Sequence, residues 1–250
     1  MICEDKIMNP NEIFERFSPL VQDFIYANGW KELRPIQIAA ARVIFESDDN
    51  LILCSDTASG KTEAVFFPIV SELEESGCGT VEVLYIAPLK SLINDQFERI
   101  DTLLRDSGIP VFHWHGDVAA SHKNRLIRNP AGVLQITPES LESMLMTRRS
   151  DIIRLLGGLK YVIIDEIHTL MGADRGNQIL CQLDRIREII GYHPRRIGLS
   201  ATIGDPVLAG KWLTGNTGKP TQIPPAGSGK NLWRLALEHF YVEDNTKERE

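Results

Sequence analysis

Gly60-Lys61-Thr62 follows a run of small and polar residues, Ser55-Asp56-Thr57-Ala58-Ser59, which follows the apolar stretch Leu51-Ile52-Leu53-Cys54. Glycine, lysine and a hydroxyl between a buried strand and a helix are the parts that hold a polyphosphate. Such a loop turns backbone N–H groups toward phosphate oxygens, and the helix start adds partial positive charge. Lys61 would meet the outer phosphates, and the Thr62 hydroxyl would ligate magnesium. The full pattern has glycine where this chain has Ser55, and a second glycine is common where Ala58 stands. Outside a strand–helix context, the same residues would be a glycine turn with a surface lysine.

A second reactive pair lies further on, in Val162-Ile163-Ile164-Asp165-Glu166-Ile167-His168. A carboxylate at the tip of an apolar strand, in a chain that also carries a phosphate loop, holds magnesium directly or through water. Asp165 fits that role. Glu166 can orient or deprotonate an attacking water.

Both motifs need strands that deliver them to one place. Residues 11–28 carry Ile13, Phe14, Phe17, Leu20, Val21, Phe24 and Ile25 at helical spacing, which predicts one amphipathic helix ended by Gly29. Pro35 suits the first turn of a second helix. Strands are expected at Val81–Ala87, Val111–His115, Gly132–Thr137, Tyr161–Ile164 and Ile197–Leu199. Helices between them are expected at Leu89–Leu104, Ser121–Ile127, Pro138–Thr147 and Asn177–Ile190. This alternation predicts an α/β fold with a mostly parallel sheet and helices on both faces. Ligands sit at the carboxyl ends of such strands. Ser55, Pro88, Gly116, Thr137, Asp165 and Ser200 all follow directly there. From Thr214 to Lys230 the composition turns to Gly, Pro, Thr and Ser, a linker signal, and Leu232–Val242 then alternates as one more strand.

The bulk properties narrow the class. The 250 residues are 43 % hydrophobic and 24 % charged, within the range of soluble globular domains. No run approaches membrane-spanning length. Cys3, Cys54, Cys78 and Cys181 show no close pairing, which suits reduced thiols in the cytoplasm. The net charge of −7 excludes a generic polyanion binder, so nucleic acid would be met by local groups. His113 and His115 share a strand face without a third ligand at fitting spacing. Gly227-Ser228-Gly229-Lys230 lacks a preceding strand and reads as linker.

The ordered set of motifs resembles the DExH-type helicases of superfamily 2. Asp165-Glu166-Ile167-His168 is followed after the next strand by Ser200-Ala201-Thr202. Ala87-Pro88-Leu89-Lys90-Ser91 to Gln96 is similar to that group's motif Ia, and Thr137-Pro138-Glu139-Ser140 to its motif Ib. His115-Gly116-Asp117-Val118, with Ser121-His122-Lys123, resembles the intervening segment of the Lhr ("large helicase-related") enzymes, allied to the Ski2-like group. The resemblance covers residues 30 to 213.

The resemblance implies a RecA-like ATP-binding domain over residues 30–213. Residues 1–29 would be an N-terminal helical segment, and residues 214–250 a linker and strand leading to a second RecA-like domain. ATP and magnesium are the implied cofactors, with Gln37 at the adenine edge and Ser55 to Thr62 at the phosphates. Single-stranded or duplex DNA or RNA is the implied partner, contacted by Pro88, Lys90, Ser91, Gly116, Thr137, Glu139 and Arg149. Lys123, Arg125 and Arg148 are further candidate phosphate neutralisers. His168, Ser200 and Thr202 would couple the two sites. The chain alone is expected to bind ATP but hydrolyse it weakly, because no residue qualifies as the arginine finger. Two rival readings are a nucleic-acid-binding module without motor activity and a P-loop ATPase acting on protein. Lys61→Ala should abolish most ATP affinity while leaving the fold intact, checked by titration with a labelled nucleotide alongside circular dichroism.

Overall fold

The computed structural model describes residues 8–55, 59–73 and 79–225. Helices α1 (Pro10–Arg16), α2 (Pro19–Ala27) and α3 (Pro35–Glu46) precede strand β1 (Asn50–Cys54), and α4 (Lys61–Leu73) follows it. Then come β2 (Val81–Ile86), α5 (Lys90–Leu104), β3 (Val111–Trp114), α6 (Ala120–Arg128) and β4 (Gly132–Ile136). Helices α7 (Pro138–Thr147) and α8 (Arg149–Leu156) lead to β5 (Tyr161–Ile164). The described part closes with α9 (Ile167–Leu170), α10 (Asp174–Ile190), β6 (Arg195–Ser200), α11 (Pro206–Thr214) and β7 (Thr221–Gln222).

The seven strands form one sheet in the order β3-β4-β2-β5-β6-β1-β7, and every neighbouring pair is parallel. Side chains alternate between two apolar layers, as period-two geometry demands. Leu51, Leu53, Val83, Tyr85 and Ile163 point into one layer, closed by α1 to α5. Ile52, Leu84, Ile86, Val162 and Ile164 point into the other, closed by α6 to α11. Burial on both faces is why these strands read as continuous apolar runs rather than alternating ones.

Several expectations need correction. The single helix over residues 11–28 is two helices, broken at Phe17-Ser18. Pro19 has no N–H to continue α1, and its fixed φ suits the first position of α2 instead. The Ser18 side chain caps α2, and the Ser18 N–H is held by Ser71 Oγ at 2.9 Å. Helices α8, α9 and α11 are not predicted by the sequence pattern. Strand β7 falls inside the Gly/Pro-rich stretch, so part of that stretch belongs to the sheet. Its neighbour in sequence, Pro220, accepts from Asn50 N–H at 2.8 Å. Cys3, Cys78, Gly227–Lys230 and the strand expected at Leu232–Val242 lie outside the described residues. No helix among the described residues is long and apolar enough to cross a membrane.

Asn50 ties the far edge of the sheet together. It is fully buried; its Oδ1 accepts from Arg196 N at 2.9 Å, and its Nδ2 donates to Thr217 Oγ1 and Lys219 O, each at 3.2 Å. Removing a buried side chain that satisfies three groups strands its partners. Asn50→Ala should lower the unfolding free energy by about 1–3 kcal/mol in a urea titration.

Candidate functional site

The parallel sheet sends the ends of β1, β2, β4, β5 and β6 to one rim. Gly60 takes φ +86°, a conformation open to glycine, and lets the chain turn from the loop into α4. Lys61 opens α4 and folds back to donate to the Ser55 carbonyl. Thr62 Oγ1 donates to Gln96 Oε1 on α5 at 2.9 Å. Asp56, Thr57 and Ala58, expected in the loop, lie outside the described residues.

Gln37 lies beneath the same turn. It is 1 % exposed, and its Oε1 accepts from Arg34 N at 2.8 Å, closing the first turn of α3. Its Nε2 is buried with no hydrogen-bond partner among the described residues. That amide would stand 3.4 Å from a Cβ built on Gly60. A buried amide donor left unmatched at a loop of this kind is a group waiting for an acceptor.

Asp165 is 6 % exposed at the tip of β5. Tyr85 donates its hydroxyl to Asp165 Oδ2 at 2.5 Å, and Glu166 N–H donates to Oδ1 at 2.9 Å. Burial pushes the Asp165 carboxyl above its ordinary range, with the neighbouring Glu166 charge adding to the shift. The Tyr85 hydrogen bond opposes it, as does the Lys61 ammonium. The same pairing, with burial first, pushes the Tyr85 hydroxyl up, so it stays a donor. Glu166 adopts φ +51°, the one non-glycine residue with positive φ among the described residues. That strained turn separates the two carboxylates at the strand tip.

A hydrogen-bonded run leads from His168, beside Glu166, to the next strand. His168 Nδ1 stands 3.1 Å from Glu166 Oε2 and 3.1 Å from Ser200 Oγ. Ser200 spends its proton on Thr202 O at 2.6 Å, so it accepts from His168 Nδ1–H. The run joins the tip of β5 to the tip of β6.

The other motif residues gather one and two strands further along the rim. Pro88 follows β2, and Lys90 and Ser91 open α5. Lys90 Nζ pairs with Asp117 at 2.9 Å and stands 3.4 Å from a Cβ built on Gly116. Thr137 caps α7 by accepting from Ser140 N at 3.3 Å. Arg149 is exposed at the start of α8, beside Arg148, whose guanidinium lies 5.8 Å over the Trp114 ring. His115 pairs with Asn94 at 3.1 Å.

Sequence reasoning missed three residues. In the sequence Tyr85 is one apolar strand residue among several, Gln96 is one member of a motif, and Arg175 carries no signal. Arg175 donates from Nη2 to Pro88 O and from Nε to Glu139 Oε1, both at 2.8 Å. Only the β2–β5 register, which sets Tyr85 beside Ile163, could have pointed to Tyr85.

A family profile for DEAD/DEAH box helicases matches residues 34–209. The chain belongs to that family. It is 32 % identical over 228 residues to the ATP-dependent helicase Lhr-Core of Methanocaldococcus jannaschii, covering 84 % of this chain and 26 % of that protein. It is 31 % identical over 231 residues to the Lhr helicase/uracil glycosylase of Escherichia coli, covering 84 % of this chain and 15 % of that one. The chain thus spans about a quarter or less of these relatives. Among solved structures, Mycobacterium smegmatis helicase Lhr bound to ssDNA and AMP-PNP superposes with a TM-score of 0.74 at 30 % identity, over 85 % of this chain and 28 % of that one. The helicase MrfA bound to DNA gives 0.72 at 26 %, over 84 % and 29 %. The RecA-like helicase fold follows from this membership and from the superpositions.

The Lys90–Asp117 pair is exposed to solvent, so Asp117 competes with any anion for that ammonium. Asp117→Asn should tighten binding of a single-stranded oligonucleotide about two-fold at low salt, read by fluorescence anisotropy.

Proposed function

We propose that residues 30–213 are the first motor domain of an ATP-dependent helicase that moves along, or separates, strands of DNA or RNA. The observation that carries this reading is the hydrogen-bonded run His168–Ser200–Thr202, with the Glu166 carboxylate 3.1 Å from His168 Nδ1. It starts beside the acidic pair at the β5 tip and ends at the next strand tip. The family membership and the relatives whose structures hold ssDNA or DNA support it.

ATP with magnesium supplies the bond to be cleaved and the charge neutralisation around it. Around that nucleotide each residue has a task. Gln37 Nε2 donates to the base, while Ser55 to Thr62 wrap the phosphates with backbone N–H groups. Lys61 swings from the Ser55 carbonyl to the outer phosphates. Thr62 and Asp165 offer hydroxyl and carboxylate oxygens, a donor set that suits magnesium, which keeps waters and takes few protein ligands. Glu166 takes the proton from the attacking water, and His168, beside that carboxylate, donates to Ser200.

On the rim, Pro88, Lys90, Ser91, Gly116, Thr137, Glu139 and Arg149 meet the sugar-phosphate backbone of one strand. Hydroxyls and helix starts grip phosphates without reading bases. A second RecA-like domain supplies the arginine that stabilises transition-state charge, worth about 10³–10⁵ in rate. We place the reaction in the cytoplasm, where ATP is abundant and the free thiols of Cys54 and Cys181 stay reduced.

Glu166→Gln keeps the shape and removes the base. In the complete two-domain motor, turnover should fall about 10²–10⁴-fold while nucleotide affinity stays within about two-fold of the parent. Near-normal turnover in that variant would remove Glu166 from the chemistry.

A further inference from the structure

We propose that Arg175 is a positioning residue that links the ATP-side carboxylates to the strand-gripping turns of motifs Ia and Ib. This inference rests on the nucleic-acid reading of that rim and adds to it a part outside every motif in the sequence.

Arg175 lies in the first turn of α10, the helix that follows Asp165-Glu166-Ile167-His168. Its guanidinium spans two neighbouring strand ends. Nη2 donates to the carbonyl of Pro88, after β2, and Nε donates to the carboxylate of Glu139, after β4. An ion pair of 2.7 Å from Nη2 to Glu139 completes the fork. Lysine, a point cation, cannot reproduce two directed bonds of this kind. The Pro88 carbonyl precedes Lys90 and Ser91, and Glu139 sits between Thr137 and Ser140. Arg175 therefore sets the distance between the two turns that would grip the strand.

The base of this clamp is rigid and joined to the ATP side. A Cβ on Gly176 would fall 2.0 Å from the Leu170 carbonyl and 3.3 Å from Trp212 Cζ2. The start of α10 is thus packed against the end of α9, which begins at Ile167, and against α11, which follows Ser200-Ala201-Thr202. A shift of α9 cannot be absorbed at Gly176 by a sliding side chain and must carry Arg175 with it. Deeper along the same helix, Gln182 donates to Pro138 O at 2.9 Å and Arg185 pairs with Glu142 at 2.5 Å. These hold α10 to α7 but do not touch the Pro88 turn.

That difference supplies the control. Binding of a fluorescein-labelled single-stranded oligonucleotide is measured across a salt series, with and without Mg²⁺·AMP-PNP, for the parent, Arg175→Ala, Arg175→Lys and Arg185→Ala. Arg175 is part-exposed, and the fold of each variant is checked by its melting curve. Arg175→Ala should weaken binding about ten-fold with nucleotide present and shrink the gain that nucleotide brings. Its salt slope should stay unchanged, because Arg175 neutralises no phosphate. Arg175→Lys should fall between, and Arg185→Ala should stay within about two-fold of the parent.

Arg175→Ala behaving like Arg185→Ala would overturn the proposal. So would a salt slope lowered by about one, which would make Arg175 itself a phosphate ligand. A parent that binds both ligands independently would overturn the link to the ATP side. A parent that binds neither nucleotide nor oligonucleotide would overturn the helicase reading instead.

Discussion

A carboxylate nearly removed from water at the tip of the central strand is the constraint around which this site is built. Asp165 has one oxygen on the Tyr85 hydroxyl and the other on the Glu166 amide. Burying a charge so completely is costly unless it is paired and hydrogen-bonded. Each partner in turn demands something of the fold. Tyr85 must come from the neighbouring strand in the register that sets it beside Ile163. Glu166 must present its own N–H to the side chain before it. Lys61 must be near enough that its ammonium opposes the upward shift of the Asp165 carboxyl. The proposed magnesium ion with a nucleotide would relieve the same cost more fully.

The all-parallel sheet is the device that meets these demands together. Parallel neighbours need crossovers, so helices cover both faces and all the strand ends that follow a buried run share one rim. The polar loops can then lie side by side without any of them crossing the core. The lysine-bearing loop, the acidic pair and the turns after β2 and β4 differ only in which strand carries them. Helix α10 reaches the turns after β2 and β4 through Arg175 in its first turn. Chemistry at the β5 tip and contacts two strands away are therefore parts of one packed layer.

Much of this was legible in the sequence, and the reasons for the rest are physical. Gly60-Lys61-Thr62 and Asp165-Glu166 stand out because their chemistry requires adjacent residues at strand ends, and adjacency is what a sequence displays. The break at Phe17-Ser18 did not stand out, since the apolar spacing continues across it and Pro19 is acceptable at a helix start. Helix α8 was missed because Arg149-Ser150-Asp151 opens it with an exposed polar turn. Strand β7, only two residues long, exists through pairing with Asn50 and Leu51 rather than through its own pattern. Arg175 could not be found at all. Its partners are a carbonyl and a carboxylate brought near only by the sheet order.

The acidic balance of the chain bears on how such a rim would hold a polyanion. Lys90 is paired with Asp117, Arg99 with Glu63, Arg175 with Glu139, and Arg148 lies 3.9 Å from Asp151. Each of these cations already has a carboxylate, so the field outside the rim is weaker than a count of its lysines and arginines suggests. A strand bound there gains less from released counterions than it would on a basic surface. The grip must then come from what is not charge. The start of α5, the Thr137 cap of α7 and the close backbone approach allowed at Gly116 present dipoles and hydroxyls to phosphate oxygens. Such contacts are short-ranged and depend on the exact spacing of two turns. A motor has a use for that dependence. A grip made of salt-screened charge would change little when the turns move, whereas one made of aligned dipoles weakens as soon as the spacing between Pro88 and Glu139 changes.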